Sequence, residues 1–413
     1  MADIKPFRAV RPRADLADRI AALPYDVYSR QEAYEKVKQD AYSFLRIDRP
    51  ETQFPEDYDM YAPEVYEKAS AMLQDMMRSG ALIEEERESY YVYELVMNGR
   101  SQVGIGACAA VDDYERQVIR KHENTRAEKA KDRIRHVDRC NAQTGPIFLA
   151  YRRREGIENA VREVMRGCPV YDFTAEDGIT HRIWIVNERD MVERIRQEFA
   201  QVGTIYIADG HHRCASAVKV SRMRRKAHPC YTGEEEFNYF LSVLFPDDQL
   251  MIMDYNRVVS SLNGYTQEAF VEQVRRRFDV TPMGSEICHP QCKGEIGMYL
   301  GDVWYRLRIR KERYVNDPVE DLDVEILQKD ILEPLLGITD PGTDDRIGFV
   351  GGIRGPEELV RRVHKDAAVA FAMYPTNIHE LFAVADAGKL MPPKSTWFEP
   401  KLRSGLLIHR IEQ

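Results

Sequence analysis

Asp209-Gly210-His211-His212-Arg213 is the stretch of this chain with the densest chemistry. It stands between an apolar run, Thr204 to Ala208, that reads as a short buried strand and a segment, Cys214 to Met223, that reads as the helix after it. Gly210 lets the backbone turn tightly, Asp209 is placed to cap the helix, and the exposed N–H groups of a helix start favour an anion. Arg213 adds a forked cationic donor suited to phosphate. The pattern outlines a phosphate cradle, and its plain alternative is a capped turn whose two histidines only pack or hydrogen-bond. A zinc site of His211, His212 and Cys214 is the weaker reading, because residues so close in sequence do not converge easily on one ion and no spaced second pair of ligands follows.

Two further strings carry reactive groups. In Lys121-His122-Glu123-Asn124-Thr125, ahead of a charged helix-like run from Ala127 to Arg139 that holds Asp132 and Arg133, a carboxylate adjoins a histidine. Such a Glu accepts a substrate hydroxyl proton when it lies within hydrogen-bond reach, and otherwise is a surface acid. A metalloprotease is excluded, since the second histidine of that motif is missing. Towards the end, Met391-Pro392-Pro393-Lys394-Ser395-Thr396-Trp397-Phe398-Glu399-Pro400-Lys401 is a proline-stiffened loop that offers cations and hydroxyls to carboxylate or phosphate oxygens. It lacks the glycines of a Walker A loop, and read alone it is equally a stiff connector.

The elements that must position these groups follow from local pattern. Pro63 to Arg78 opens with a first-turn proline and carries Val65, Ala69, Met72, Leu73 and Met76 on one helical face, which Gly80 ends. Ser89 to Met97 and Ser101 to Val111 flank Asn98-Gly99-Arg100, a hairpin signal because Asn-Gly accepts the positive φ angles of tight hairpin turns. Phe240 to Phe245, Val303 to Ile309 and Ala367 to Met373 read as strands and Glu357 to Val363 as a helix. The expectation is mixed α/β structure without repeats, divided into an N-terminal α/β region over 1–115 with the hairpin and a second region over 116–413, although no Gly/Ser/Pro linker marks the boundary.

Composition narrows the functions. With 413 residues, 44% hydrophobic and 31% charged, the chain suits two or three folded units. It has no apolar run of the roughly 20 residues that span a bilayer and no signal-peptide core near its start, so a cytoplasmic location with no membrane partner is expected. The cysteines, 7 in number and scattered, read as reduced thiols. A net charge of −9 argues against a nucleic-acid partner, and the basic runs Arg222 to Lys226 and Arg275 to Arg277 read as solvated helix faces.

Taken in order, the three strings resemble the free L-serine kinases called SerK, which have a ParB/sulfiredoxin-like fold and share a His-Glu pair, Asp-Gly-His-His-Arg after a strand, and a later Pro-Lys-Thr-Thr. The matching positions here are His122-Glu123, Asp209 to Arg213, and Pro393-Lys394-Ser395-Thr396. Over its whole length the chain is similar to the bacterial family catalogued as domain of unknown function 1015, with Pro24-Tyr25-Asp26-Val27 and Ala385-Asp386-Ala387-Gly388 through Lys401 as further signatures. The resemblance implies a ParB/sulfiredoxin-like core with added N-terminal and inserted α/β elements, and a kinase that makes O-phospho-L-serine from L-serine. It implies Glu123, Asp209 and His211 as catalytic residues, Gly210, His212 and Arg213 as phosphate-binding, and His122, Lys394, Ser395 and Thr396 as substrate-binding. Mg²⁺ and a donor among ATP, ADP and pyrophosphate come with it. The chain departs from the archaeal-type pattern at Trp397-Phe398, where that pattern continues Arg-His. The competing readings are a ParB-like nucleotide-dependent DNA-binding protein, which needs a basic helix-turn-helix, and a non-catalytic metabolite-binding protein.

Overall fold

A computed structural model describes residues 1–125 and 127–412. The fold is mixed α+β and forms two compact units: Met1–Lys121, Thr125–Leu250 and Pro400–Gln413 in the first, His122–Asn124 and Met251–Glu399 in the second. No helix among the described residues is long and apolar enough to cross a membrane.

The first unit is built on a nine-stranded mixed sheet. Its order runs Ile119–Arg120, Ile205–Asp209, Ile147–Tyr151, Tyr239–Pro246, Arg100–Ala110, Tyr90–Met97, Thr180–Val186, Tyr171–Thr174, and Ile4–Lys5 pairs with Arg100–Ala110. The hairpin falls where Asn98-Gly99 places it: φ is +51° at Asn98 and +77° at Gly99, the paired positive values of a two-residue turn that matches strand twist. Central strands read as near-continuous apolar runs because they are covered on both faces; all eight residues of Tyr239–Pro246 are buried. Helices Glu155–Val164 and Arg189–Phe199 close one side through Ile157, Ala160, Ile195 and Phe199. Helix Pro63–Arg78, bounded as its pattern predicts, buries Val65, Tyr66, Ala69 and Leu73, and Gly80 follows it at φ +73°. Helix Ala127–Cys140 packs against His211–Ala227.

The second unit holds a six-stranded antiparallel sheet in the order Phe278–Gly284, Val303–Ile309, Glu295–Leu300, Val369–Met373, Tyr255–Val259, Ile347–Gly351. Helix Glu357–Lys365 covers it with Leu359. A small ladder of Met251–Met253 with Trp397–Glu399 carries the last proline-rich string.

Candidate functional site

In the first unit the strand Ile205–Asp209 pairs with Ile147–Tyr151 on one side and Ile119–Arg120 on the other. Its register shifts between Ile207 and Asp209, a bulge that re-aims the final carboxylate. Gly210 then takes φ +91°, a conformation that calls for glycine, and a Cβ there would stand 3.1 Å from Nε and Nη2 of Arg213. Helix His211–Ala227 begins at once, with Cys214 N–H donating to the Gly210 carbonyl. The strand lies one residue later than the expected Thr204 to Ala208 and the helix begins three residues before the expected Cys214, which leaves only Gly210 between them.

Asp209 does not cap this helix as expected. Its carboxylate accepts from its neighbour's N–H, Gly210 N at 2.7 Å, and the N-cap position is Gly210 itself, with no side-chain cap. The reason is a partner that local sequence does not announce: Nζ of Lys401 lies 2.9 Å from Asp209 Oδ2. Burial works against the charged form, yet the Lys401 and Arg213 cations and the two hydrogen bonds outweigh it and hold the carboxyl well below the usual carboxylate range. Arg213 donates to the Pro146 carbonyl. His211 is buried at the start of the helix, and the carbonyl of half-buried His212 accepts from Ser216. Cys214 belongs to the hydrophobic core, and burial pushes its thiol up.

In the second unit the other two strings adjoin. Met391 N–H donates to the His122 carbonyl at 2.8 Å, which ties His122-Glu123 to the proline-rich loop far along the chain. His122 is buried and Glu123 half-buried. The loop is braced from inside: Ser395 Oγ donates to the Pro392 carbonyl at 2.7 Å, and Thr376 Oγ1 to the Ser395 carbonyl at 3.1 Å. Ser395 is buried, half-buried Thr396 follows it, and Lys394 is exposed. Lys394 holds φ +63°, a left-handed conformation that a side chain makes costly. Its ammonium stands 5.7 Å from the centre of the Tyr255 ring. Trp397 packs edge-on against the same ring.

No local pattern announces Arg257, on strand Tyr255–Val259. It is 3% exposed and donates to the carbonyls of Tyr255 and Lys394, and burial pulls its guanidinium down to about 10. The bond to Lys394, 3.1 Å long, pins the loop at its left-handed residue.

The family model described as Protein of unknown function (DUF1015) matches residues 4–325. No curated protein matches the chain. Among solved structures, SbnI with C-terminal truncation from Staphylococcus aureus is 14% identical with a TM-score of 0.39, over 74% of this chain and 87% of that one. A free serine kinase in complex with AMP is 12% identical with a TM-score of 0.37, over 75% and 91%. A conserved hypothetical protein from Pyrococcus furiosus is 13% identical with a TM-score of 0.35, over 74% and 95%.

Proposed function

The chain belongs to the DUF1015 family, and we propose that it is a phosphotransferase that moves a phosphoryl group onto the hydroxyl of a small metabolite, with free L-serine as the leading acceptor. One observation carries the reading: an ionised Asp209, held by Lys401, at a glycine-hinged turn from strand into helix. Phosphoryl transfer asks for positioning and for neutralisation of the transferred group more than for covalent chemistry. A fixed carboxylate, adjoining cations and helix N–H groups are parts of that kind.

In this reading Glu123 takes the acceptor's hydroxyl proton, and the oxygen attacks the terminal phosphorus of ATP, ADP or pyrophosphate. The bond to the leaving phosphate breaks, and ADP, AMP or orthophosphate departs with the electron pair. Asp209 and His211 act at the reacting phosphate, while Gly210, His212 and Arg213 hold the donor. His122, Lys394, Ser395 and Thr396 hold the acceptor. Ser395 contributes by shaping the loop, because its hydroxyl already donates to Pro392. An ionised Asp209 suits Mg²⁺, which takes one or two carboxylates together with phosphate oxygens; the ion would supply charge neutralisation. The reading has no nucleic-acid partner. In support, the arginines of the basic helix run pair inside the protein: Arg222 with Glu115, Arg224 with Asp138, and Arg225 with Asp112.

The test is direct. The protein is incubated with Mg²⁺, L-serine and, separately, ATP, ADP or pyrophosphate, and O-phosphoserine is sought by mass spectrometry. Product with at least one donor is expected. Its absence with all three sinks the serine assignment, and product from a different hydroxyl compound keeps the transferase but replaces the acceptor.

A further inference from the structure

Among the described residues five arginines are buried, and four of them face a carboxylate: Arg11 pairs with Glu85, Arg49 with Glu51, Arg133 with Asp132 and Arg403 with Asp177. Arg257, the most buried of the five at 3% exposure, forms no ion pair with a described residue. It spends one nitrogen on the Tyr255 carbonyl and another on the Lys394 carbonyl at 3.1 Å, and its guanidinium lies 5.6 Å from the centre of the Phe349 ring. Carbonyls and a ring face satisfy donors and soften the charge, but they do not cancel it. Burial therefore pulls the group down to about 10, whereas at Arg133 the same burial is outweighed by Asp132 and its other neighbours, and the guanidinium is raised.

The charge stands where the proline-stiffened loop turns. Strand Tyr255–Val259 pairs with Ile347–Gly351 on one side and Val369–Met373 on the other, so the backbone of Arg257 is fixed. Lys394 takes the left-handed conformation, and the bond from Arg257 reaches that residue's carbonyl. The same peptide unit carries the Ser395 N–H. A carbonyl that accepts from a cation polarises its peptide, which makes the N–H at the other end a stronger donor. Asn256, next to Arg257, accepts from Met373 N–H at 2.8 Å, and Thr376 beyond that strand holds the Ser395 carbonyl. Two successive carbonyls of the loop, those of Lys394 and Ser395, are thus held from the sheet, and the first of the two contacts is charged.

A buried charge without a counter-charge is costly, and a bound group of opposite sign relieves that cost. We propose that Arg257 is a positioning residue that makes the Lys394-Ser395-Thr396 loop select an acceptor with a carboxylate, whose negative charge offsets the guanidinium when the acceptor binds; the assignment rests on the reading that this loop holds the acceptor. At 3% exposure the guanidinium acts through the loop peptide and through its field, which burial leaves little screened, and not by contact. The two positions after Thr396 are the aromatic Trp397 and Phe398, which add no charge of their own. The acceptor class is then a hydroxy acid or hydroxy amino acid, and a hydroxyl compound with a neutral group in place of the carboxylate is a poor acceptor.

Calorimetric titration of the full chain with L-serine and with L-serinamide tests this, at pH 6 so that both amines are protonated; the amide keeps the hydroxyl and the ammonium and replaces the carboxylate by a neutral group. The wild-type chain should bind L-serine about tenfold more tightly, the scale of one interaction with a charged group. Arg257→Gln keeps a donor for the Lys394 carbonyl and removes the charge, so it should erase most of that preference by weakening L-serine while L-serinamide stays within roughly twofold. Arg257→Lys keeps the charge and should keep the preference. Equal weakening of both ligands in Arg257→Gln is what a purely structural role gives, and it overturns the proposal. Should Arg257→Gln fail to fold, Arg257→Lys decides: a retained preference supports the charge and a lost one overturns it. A wild-type chain that does not distinguish the two ligands, or binds neither at millimolar concentration, overturns it with no variant needed. The kinase reading fails separately. Carboxylate preference that Arg257→Gln abolishes, in a chain that forms no phosphoserine, keeps this assignment and removes the serine kinase; phosphoserine formed by Arg257→Gln at the wild-type L-serine KM does the reverse.

Discussion

Lys401 and Asp209 form an ion pair at 2.9 Å across 192 positions of sequence, with side-chain exposures of 15% and 35%. The pair lies between the exposed bridges that contribute almost nothing and the buried ones that are costly to break. Asp209→Asn should therefore cost about 1–2 kcal/mol at pH 7. The depressed folded pKa fixes the direction with pH: the contribution is fully present above the unfolded value of about 3.9 and is lost as pH falls through the folded value. Urea unfolding of both proteins at pH 7 and near pH 2 checks it, and a gap that stays the same at both would exclude an ionised Asp209 as its source.

Glu123→Gln keeps shape and hydrogen bonding while removing most basicity. If Glu123 is the base, turnover should fall by roughly 10²–10⁴. Melting temperature should barely move, because the side chain is half-buried, and donor affinity should hold, because phosphate handling is assigned to another loop. Near-normal turnover in this variant would refute the base assignment.

The sequence reveals what is local. Pro63–Arg78 is bounded by its own proline and glycine, and the hairpin by Asn98-Gly99, because periodicity and turn chemistry act within a few residues. The turn at Asp209 is legible for the same reason. Its partner Lys401 is not, since an ion pair formed across the fold leaves no periodic trace; the cap expected of Asp209 fails on that account. Tyr255–Val259 is buried at every position although it holds Asn256 and Arg257, so it shows no apolar–polar alternation that would mark the strand or single out Arg257. The bond from Met391 to His122 and the break between units after Leu250 are likewise products of packing, with no linker composition to mark them.

His181 is held neutral. Arg403 donates from Nε to its Nε2 at 3.1 Å, which leaves the proton on Nδ1, 2.9 Å from the Tyr93 hydroxyl. Burial first and the Arg403 charge second lower its pKa to about 3. Between about pH 3 and the unfolded value near 6.5 the unfolded chain binds a proton that the folded one does not, so stability rises with pH at up to about 1.4 kcal/mol per unit. His136 and His409 are lowered as well, so the wild-type slope alone does not isolate this residue. The gap between wild type and His181→Gln does, and it should widen as pH rises from 4 to 6 in urea titrations. A constant gap would mean that His181 is charged in the fold.

Lys394 is a lysine where glycine would sit more easily, at φ +63°, with its carbonyl held by Arg257. Replacing it by glycine removes the Cβ strain of roughly 1–2 kcal/mol but frees the unfolded chain by roughly 0.5–1 kcal/mol, so stability should stay level or rise slightly. Lys394→Ala keeps the strain and removes the ammonium, and an exposed lysine contributes little to folding. If the ammonium holds the acceptor, both variants should raise the acceptor KM by a similar factor while the donor KM stays put. A rise confined to the glycine variant would move the effect to the backbone that Arg257 pins, and an unchanged KM in both would remove Lys394 from the acceptor site.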